Sequence, residues 1–290
     1  MNEVDLAGKI DELISDQLRA HEVKVTPFPQ TVMRIQNLVS TPDFGIRDVV
    51  DVIRTDQTLS ASVLRRANAA QFGSGVVVKD LTTAVSRIGA QEIIRLALAT
   101  RLGEAVCNRS PLRSLRLRVW RDALLSAHIC EILAELRSLP PEEAFLCGLL
   151  HDFGKVFGIA SIEQHFLDAK IPKLTASFWM GMVERYHIDL GLQMARKWEL
   201  PDSYLQAIEG HHVRSSKNKN PLLDVTFVSD LVVPTLHEAS SFDVDHLLPY
   251  LLNQEERKRL HAALEHIPGL VSGLTVCESK QGGARCDGYG

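Results

Sequence analysis

At 290 residues, with 45% hydrophobic and 23% charged side chains, the chain has the make-up of a soluble globular protein of one large or two small domains. Its 32 basic and 36 acidic residues leave a net charge of −4, which argues against a surface built to coat nucleic acid. The five cysteines, Cys107, Cys130, Cys147, Cys277 and Cys286, are widely spaced with no CxxC pair, so neither a disulfide framework nor a zinc finger is indicated.

Almost every periodic stretch has helical spacing. Leu6, Ile10, Ile14 and Leu18 recur every fourth residue, the pattern of an amphipathic helix. The acidic N-terminus lacks the charged-then-apolar pattern of a secretory signal. No apolar run is read as approaching a membrane span, and the expected location is the cytoplasm. Prolines in Val25–Gln30 interrupt the pattern, because each disfavours helix in the residue before it. A helix then carries Val32, Ile35, Leu38 and Val39 inward. After a turn at Ser40–Gly45 come helices over Ile46–Arg54 and Leu59–Ala70. Phe72–Gly75 reads as a loop and Val76–Val78 as a loop or edge segment. Gly89 separates helices over Leu81–Ile88 and Ala90–Val106, as a cap or tight turn.

A long helix is predicted over about Pro111–Leu136. Its Arg113, Arg116, Arg118 and Arg121 read as a solvated basic face. Pro140-Pro141 opens an apolar helix, EEAFLCGLLHDFGK over Glu142–Lys155, with Glu142 and Glu143 in the first turn where the helix dipole favours them. Further helices are predicted over Ala176–Trp198, Asp202–His211, Leu222–Val232, Val244–Leu252 and Glu255–His266. Ser215–Asn220 is a polar loop, and the Gly-rich end from Ser279 has nothing to bury and reads as disordered. The fold class is all-α.

The apolar helix of Glu142–Lys155 delivers His151 and Asp152 side by side at its end. Buried polar groups need partners; these can be hydrogen bonds within the core, or a shared metal ion. Other helices repeat the pattern of polar residues among apolar ones: Asp122, His187, His211-His212 and Asp230. Each alone has a dull explanation as a cap, a satisfied core group or a surface residue. Together, four histidines and three carboxylates suit one or two divalent ions, such as Mn, Fe, Ni, Zn or Mg. Glu184-x-x-His187 matches the spacing of ferritin-like di-iron sites, but that architecture needs the motif twice and it occurs once.

The order of these elements resembles the HDOD family, the HD-related output domains of bacterial signalling proteins. VTPFPQTVMRIQNLV is similar to the family's proline-punctuated entry. DVIRTDQTLSASVLRRANAAQFG is similar to its most recognisable block, an aspartate-led helix ending in Ala-Asn-x-Ala. DLTTAVSRIGAQEIIRLALAT resembles the helix pair that follows. GLLHDFGK, ERYHIDLGLQMARKWELP, AIEGHH and VSDLV resemble the HD phosphohydrolase core. The resemblance runs from about Val23 to His237 and implies an HD-like helical bundle with an N-terminal helical subdomain. It divides the chain into an N-terminal helix (1–22), an HDOD domain (23–237, with halves 23–108 and 109–237), a helical extension (238–278) and a tail (279–290).

Carried over residue by residue, the resemblance implies metal ligation by His151, Asp152 and Asp230. His187, His211 and His212 match the extra histidines of two-metal relatives that open cyclic dinucleotides. Where the HD pattern has its first histidine this chain has Asp122, and His128 lies about 240° round the helix from it. His211-His212 is followed by Val213-Arg214, not by the Glu and Gly-Tyr-Pro signature of the cyclic-dinucleotide subgroup.

Three functions remain. One is a regulatory module that binds a signalling protein or a small nucleotide-like ligand, with no membrane and no nucleic-acid role, and with a homodimer allowed. The second is a metal-dependent phosphohydrolase. In it the ion activates water against phosphorus, with Asp152 and Lys155 as catalytic residues and Lys155 on a phosphate oxygen. The third keeps the metal as a structural staple.

Overall fold

The structure, a computed structural model, describes residues 3–22, 28–39, 41–69, 77–106, 110–166, 174–213, 220–238 and 251–264. Thirteen α-helices and no strand occur among the described residues. Two compact units emerge: residues 1–26 with 109–271, and residues 27–108 with 272–290.

In the second of these units, α2 (Gln30–Val39), α3 (Ile46–Arg54) and α4 (Gln57–Ala67) pack on α5 (Leu81–Val106). Gly89 breaks α5 into two helices at φ +79°, ψ 162°, a conformation open to glycine and strained for other residues. The aspartate-led block has a physical basis here. Asp56 caps α4 by accepting from the Leu59 backbone N–H at 3.0 Å, and it also pairs with Arg101. Asn68, past the end of α4, donates to the Leu64 and Val78 carbonyls at 2.9 Å each, and accepts from Val78 N–H at 2.8 Å. It therefore fixes the end of α4 to the entry of α5. Asp56→Ala removes a cap and a partly buried ion pair, and is expected to cost about 2 kcal/mol in urea denaturation.

The larger unit holds α1 (Glu3–Arg19) and α6 to α13. These are α6 (Arg113–Leu136), α7 (Pro141–Leu150), α8 (Gly154–His165), α9 (Ala176–Glu184), α10 (His187–Lys197), α11 (Asp202–Gly210), α12 (Pro221–Glu238) and α13 (Gln254–Leu264). Its axis is α7, which buries Ala144, Phe145, Cys147, Gly148, Leu149 and Leu150. A Cβ at Gly148 would lie 2.6 Å from the Ser126 carbonyl oxygen, so glycine lets α7 lie directly on α6. Cys130 and Cys147 are buried free thiols. Burial pushes the Cys130 thiol up to about 12, against the polar contacts of Ser229 and Thr226, and the thiol donates to the Ser229 hydroxyl at 3.2 Å; both cysteines behave as small apolar groups.

Four sequence expectations need correction. The predicted single helix Ala176–Trp198 is two helices, α9 and α10, broken at Arg185–Tyr186. The break is held from α1, where Asp11 accepts from Arg185 at 2.9 Å and from the Tyr186 hydroxyl at 3.0 Å. Second, Arg116 is not on a solvated face: it is buried and faces Glu163 at 3.5 Å, while Glu163 also accepts from Leu112 N–H at 2.8 Å. Third, α12 continues past Val232 through Pro234 to Glu238; proline has no N–H to offer the Asp230 carbonyl one turn back. Fourth, Pro141–His165 is long and apolar enough by composition to cross a membrane, although most of its apolar window is buried inside the protein and a turn at 151–153 divides it into α7 and α8. The expected loop at Phe72–Gly75, the polar loop up to Lys219, most of Val244–Leu252 and the tail from Ser279 lie outside the described residues.

Candidate metal centre

The turn between α7 and α8 carries the His-Asp pair. His151 N–H still bonds to the Cys147 carbonyl, but Phe153, Lys155 and Val156 bond three residues back, which tightens the chain into a corner. Phe153 anchors this corner by packing edge-on to Trp120 and Phe157, at 6.3 and 5.5 Å between ring centres. Gly154 opens α8 where it touches α10: a Cβ there would lie 2.7 Å from Gly191 N and closer still to the His187 carbonyl oxygen. The dyad is thereby set against the first residue of α10, which is His187.

Three histidines share one local arrangement. His151 Nδ1–H donates to the Gly148 carbonyl at 2.9 Å, His187 Nδ1–H to the Glu184 carbonyl at 2.6 Å, and His211 Nδ1–H to the Ile208 carbonyl at 2.8 Å. Each bond runs three residues back, and a carbonyl can only accept, so the proton of the neutral ring is on Nδ1. The Nε2 lone pairs then project into the interior. His212 follows the same rule through a carboxylate: its Nδ1–H donates to Asp230 at 3.0 Å.

The four rings converge. His187 Nε2 stands 3.0 Å from His212 Nε2 and 3.3 Å from His211 Nε2. Asp152 Oδ1 is 3.5 Å from both His187 Nε2 and His211 Nε2. It is buried and finds no hydrogen-bond partner. His151 Nε2 lies 3.6 Å from the other Asp152 oxygen and 3.8 Å from Asp230. Two ligand groups result, His187–His211–His212 and His151–Asp152–His211, each with its atoms within 4.8 Å of one another.

Electrostatics divides the histidines. Burial holds His187 and His211 below the usual imidazole range, despite the nearby Asp152 carboxylate. Both are neutral and present lone pairs at neutral pH. Burial also works against a charged His151, but Asp152 and Asp230 outweigh it and raise its pKa. Burial opposes ionisation of Asp152, yet the charges of His151 and Lys155 hold it well below the carboxylate range. Asp230 is likewise lowered, by His151 against burial.

With the Nδ1 protons engaged by carbonyls and by Asp230, neutral rings bring Nε2 lone pairs to 3.0–3.3 Å of one another, where they repel; a cation placed among them turns the repulsion into coordination. The residues present therefore fit a metal ion, with His187, His211, His212 and Asp152 as the convergent donors and His151 and Asp230 adjoining. The structure thus brings together six of the residues singled out from sequence. It does not bring in Asp122, whose carboxylate faces Arg118 on its own helix at 3.9 Å and falls outside both ligand groups. His128 is also elsewhere, beside Glu131 at 3.3 Å and edge-on to Phe145. Lys155 is at the site but is engaged, with its ammonium 2.7 Å from Asp152 and 2.9 Å from Glu184. Glu184 was set aside with the di-iron pattern. Its spacing from His187 was the visible signal, since three residues span one helical turn.

The family model of the HDOD domain matches residues 25–214. A crystal structure of a "putative metal-dependent phosphohydrolase" from Shewanella amazonensis SB2B superposes with TM-score 0.70 at 17% identity, over 94% of this chain and 99% of that one. A "putative signal transduction protein" from Marinobacter aquaeolei VT8 superposes with TM-score 0.61 at 22% identity, over 93% of this chain and 66% of that one. An uncharacterized protein of Treponema pallidum (strain Nichols) is 22% identical over 249 residues, 82% of this chain. This chain spans 46% of that relative's length. At these identities the structural likeness speaks for the fold, whereas the domain match covers well over half of the sequence. The chain belongs to the HDOD domain family.

Proposed function

We propose that this chain is a metal-binding HDOD module that regulates a bacterial signalling response from the cytoplasm, through a partner protein or a small nucleotide-like ligand. One observation carries the metal part: Asp152 Oδ1 is buried without a hydrogen bond between two imidazole nitrogens at 3.5 Å. Three nitrogens and one carboxylate oxygen favour zinc, nickel or iron over magnesium. The regulatory part is supported by what is spent inside the site. Lys155 is neutralised by two carboxylates, and the position of the first histidine is Asp122, engaged with Arg118.

Phosphoester hydrolysis is the second reading, favoured by the second ligand group and by His212, whose side chain is 37% exposed. A bound ion would supply Lewis acidity to a phosphoryl oxygen and to water. His187, His211, His212 and Asp152 would hold it, while Phe153 and the carbonyls behind the imidazoles fix their orientation.

Elemental analysis of the purified chain, with zinc titration of metal-stripped protein, tests the proposal. About one zinc per chain is expected, lost in His211→Ala. Zinc at about 100 times its Kd is expected to raise stability by about 2.7 kcal/mol. A chain that takes up no divalent ion overturns the metal reading. Turnover of phosphodiesters by the zinc- or manganese-loaded chain, lost in Asp152→Ala, overturns the purely regulatory one.

A further inference from the structure

Lys155 has two carboxylate partners of unlike character. Asp152 is fixed in the corner between buried His151 and Phe153 and is 14% exposed. Glu184 is the last residue of α9 and its side chain is 41% exposed. One Glu184 oxygen accepts from Lys155 at 2.9 Å. The other stands 3.8 Å from His212 Nε2 and 4.0 Å from His187 Nδ1. Glu184 therefore bridges the ammonium and the imidazole cluster from the solvent side, while remaining outside both ligand groups.

Its hold there is weak. An ion pair open to solvent on one side has a small net worth. A carboxylate at the C-terminal end of α9 also meets the negative end of that helix dipole. Lys155 by contrast is held from the interior, its ammonium 2.7 Å from Asp152 and its side chain only 12% exposed. If Glu184 swings out, an ammonium with spare donor capacity is exposed beside the imidazoles, and only an anion restores the balance of charge.

We propose that Glu184 is a displaceable latch, and that the place its carboxylate occupies between Lys155 and His212 is the seat of a phosphoryl oxyanion, which binds by exchanging with it. This rests on the reading of the neighbouring cluster as a metal site, but the latch acts on Lys155 and can be tested without the ion. The ligand is thereby of the phosphate or phosphomonoester class, and its affinity is set by competition with a side chain of the same charge sign.

The test is calorimetric titration of the full chain, metal-free and zinc-loaded, with inorganic phosphate and with adenosine monophosphate. Glu184→Gln keeps the shape and removes the charge, and is expected to bind at least one of the two probes about tenfold more tightly than the unaltered chain. Adding Lys155→Gln to Glu184→Gln is expected to abolish that gain. Affinities within twofold of the unaltered chain for both probes, or a gain that survives Lys155→Gln, overturn the latch. Should Glu184→Gln fail to fold by thermal unfolding, Glu184→Asp takes its place: it keeps the charge but shortens the reach, and the same gain or its absence decides. Zinc titrated separately into Glu184→Gln reads the metal site itself. If no form takes zinc, the metal reading falls while the phosphate comparison in metal-free protein still decides the latch.

Discussion

Asp152→Asn is expected to weaken zinc binding on the order of 100-fold or more and to lower the stability of the metal-free chain by about 3 kcal/mol. The substitution conserves shape, removes the negative charge and exchanges one acceptor oxygen for an amide donor. That charge faces four cationic or polar neighbours: His151 at 3.6 Å, Lys155 at 2.7 Å, and the Nε2 atoms of His187 and His211 at 3.5 Å. Without it, Lys155 retains only the part-exposed Glu184, and His151 retains only Asp230. The pH dependence follows from the direction of each shift. Asp152 titrates well below its ordinary value in the folded chain. Its contribution is thus fully present above the unfolded value of about 3.9 and is lost as pH falls through the folded pKa. His151 is shifted upward, so its contribution is present below about 6.5 and is lost as pH rises through its folded pKa. The stability gap between the two proteins should be wider at pH 6 than at pH 9, and should close as pH drops below about 4. Urea denaturation across that range, with zinc titration at pH 7, measures both effects.

The ligands were legible in the sequence because burial makes polar residues conspicuous. His151 and His211 sit among apolar neighbours on their helices, and one shared partner accounts for both of these buried imidazoles together with His187. The family resemblance supplied their order, and the helices of 1–106 followed from fourfold spacing and from Gly89. What was not legible depends on contacts between distant segments. Val183–Leu192 (VERYHIDLGL) contains no proline and no glycine before Gly191, so a continuous helix was the natural reading. The break at Arg185–Tyr186 is fixed by Asp11, 174 residues earlier in the chain. It is also what frees the Glu184 carbonyl to orient His187. Helix α8 was missed for a different reason: VFGIASI is apolar on all sides and has no stripe to read. Asp122 takes the first-histidine position through the family resemblance, just after Trp120-Arg121, while its carboxylate faces Arg118, one turn away on the same helix.

The site also depends on a position with no side chain. Gly154→Ala is expected to destabilise the chain by about 3 kcal/mol, which lowers Tm by about 6–12 °C in a domain of this size, and to abolish zinc binding. The added methyl would meet backbone on both sides, the His187 carbonyl and Gly191 N at 2.7 Å. A flexible side chain could move aside, but two helix backbones can relieve the clash only by separating α8 from α10. Separation carries His187 away from Asp152, so stability and metal affinity fall together. Two neighbouring glycines serve as controls. At Gly158 the nearest atoms a Cβ would meet belong to the side chains of Val183 and Leu190, at 3.1–3.3 Å, and a loss of about 1 kcal/mol is expected with zinc binding retained. At Gly181, exposed on α9, a Cβ meets nothing within 4 Å, and alanine should stabilise by about 0.5–1 kcal/mol through lower backbone entropy in the unfolded chain. Thermal unfolding and zinc titration of the three variants separate the close approach of α8 and α10 from a general sensitivity to glycine replacement. Equal losses at all three positions would contradict the assignment of Gly154 as the contact that sets the dyad against His187.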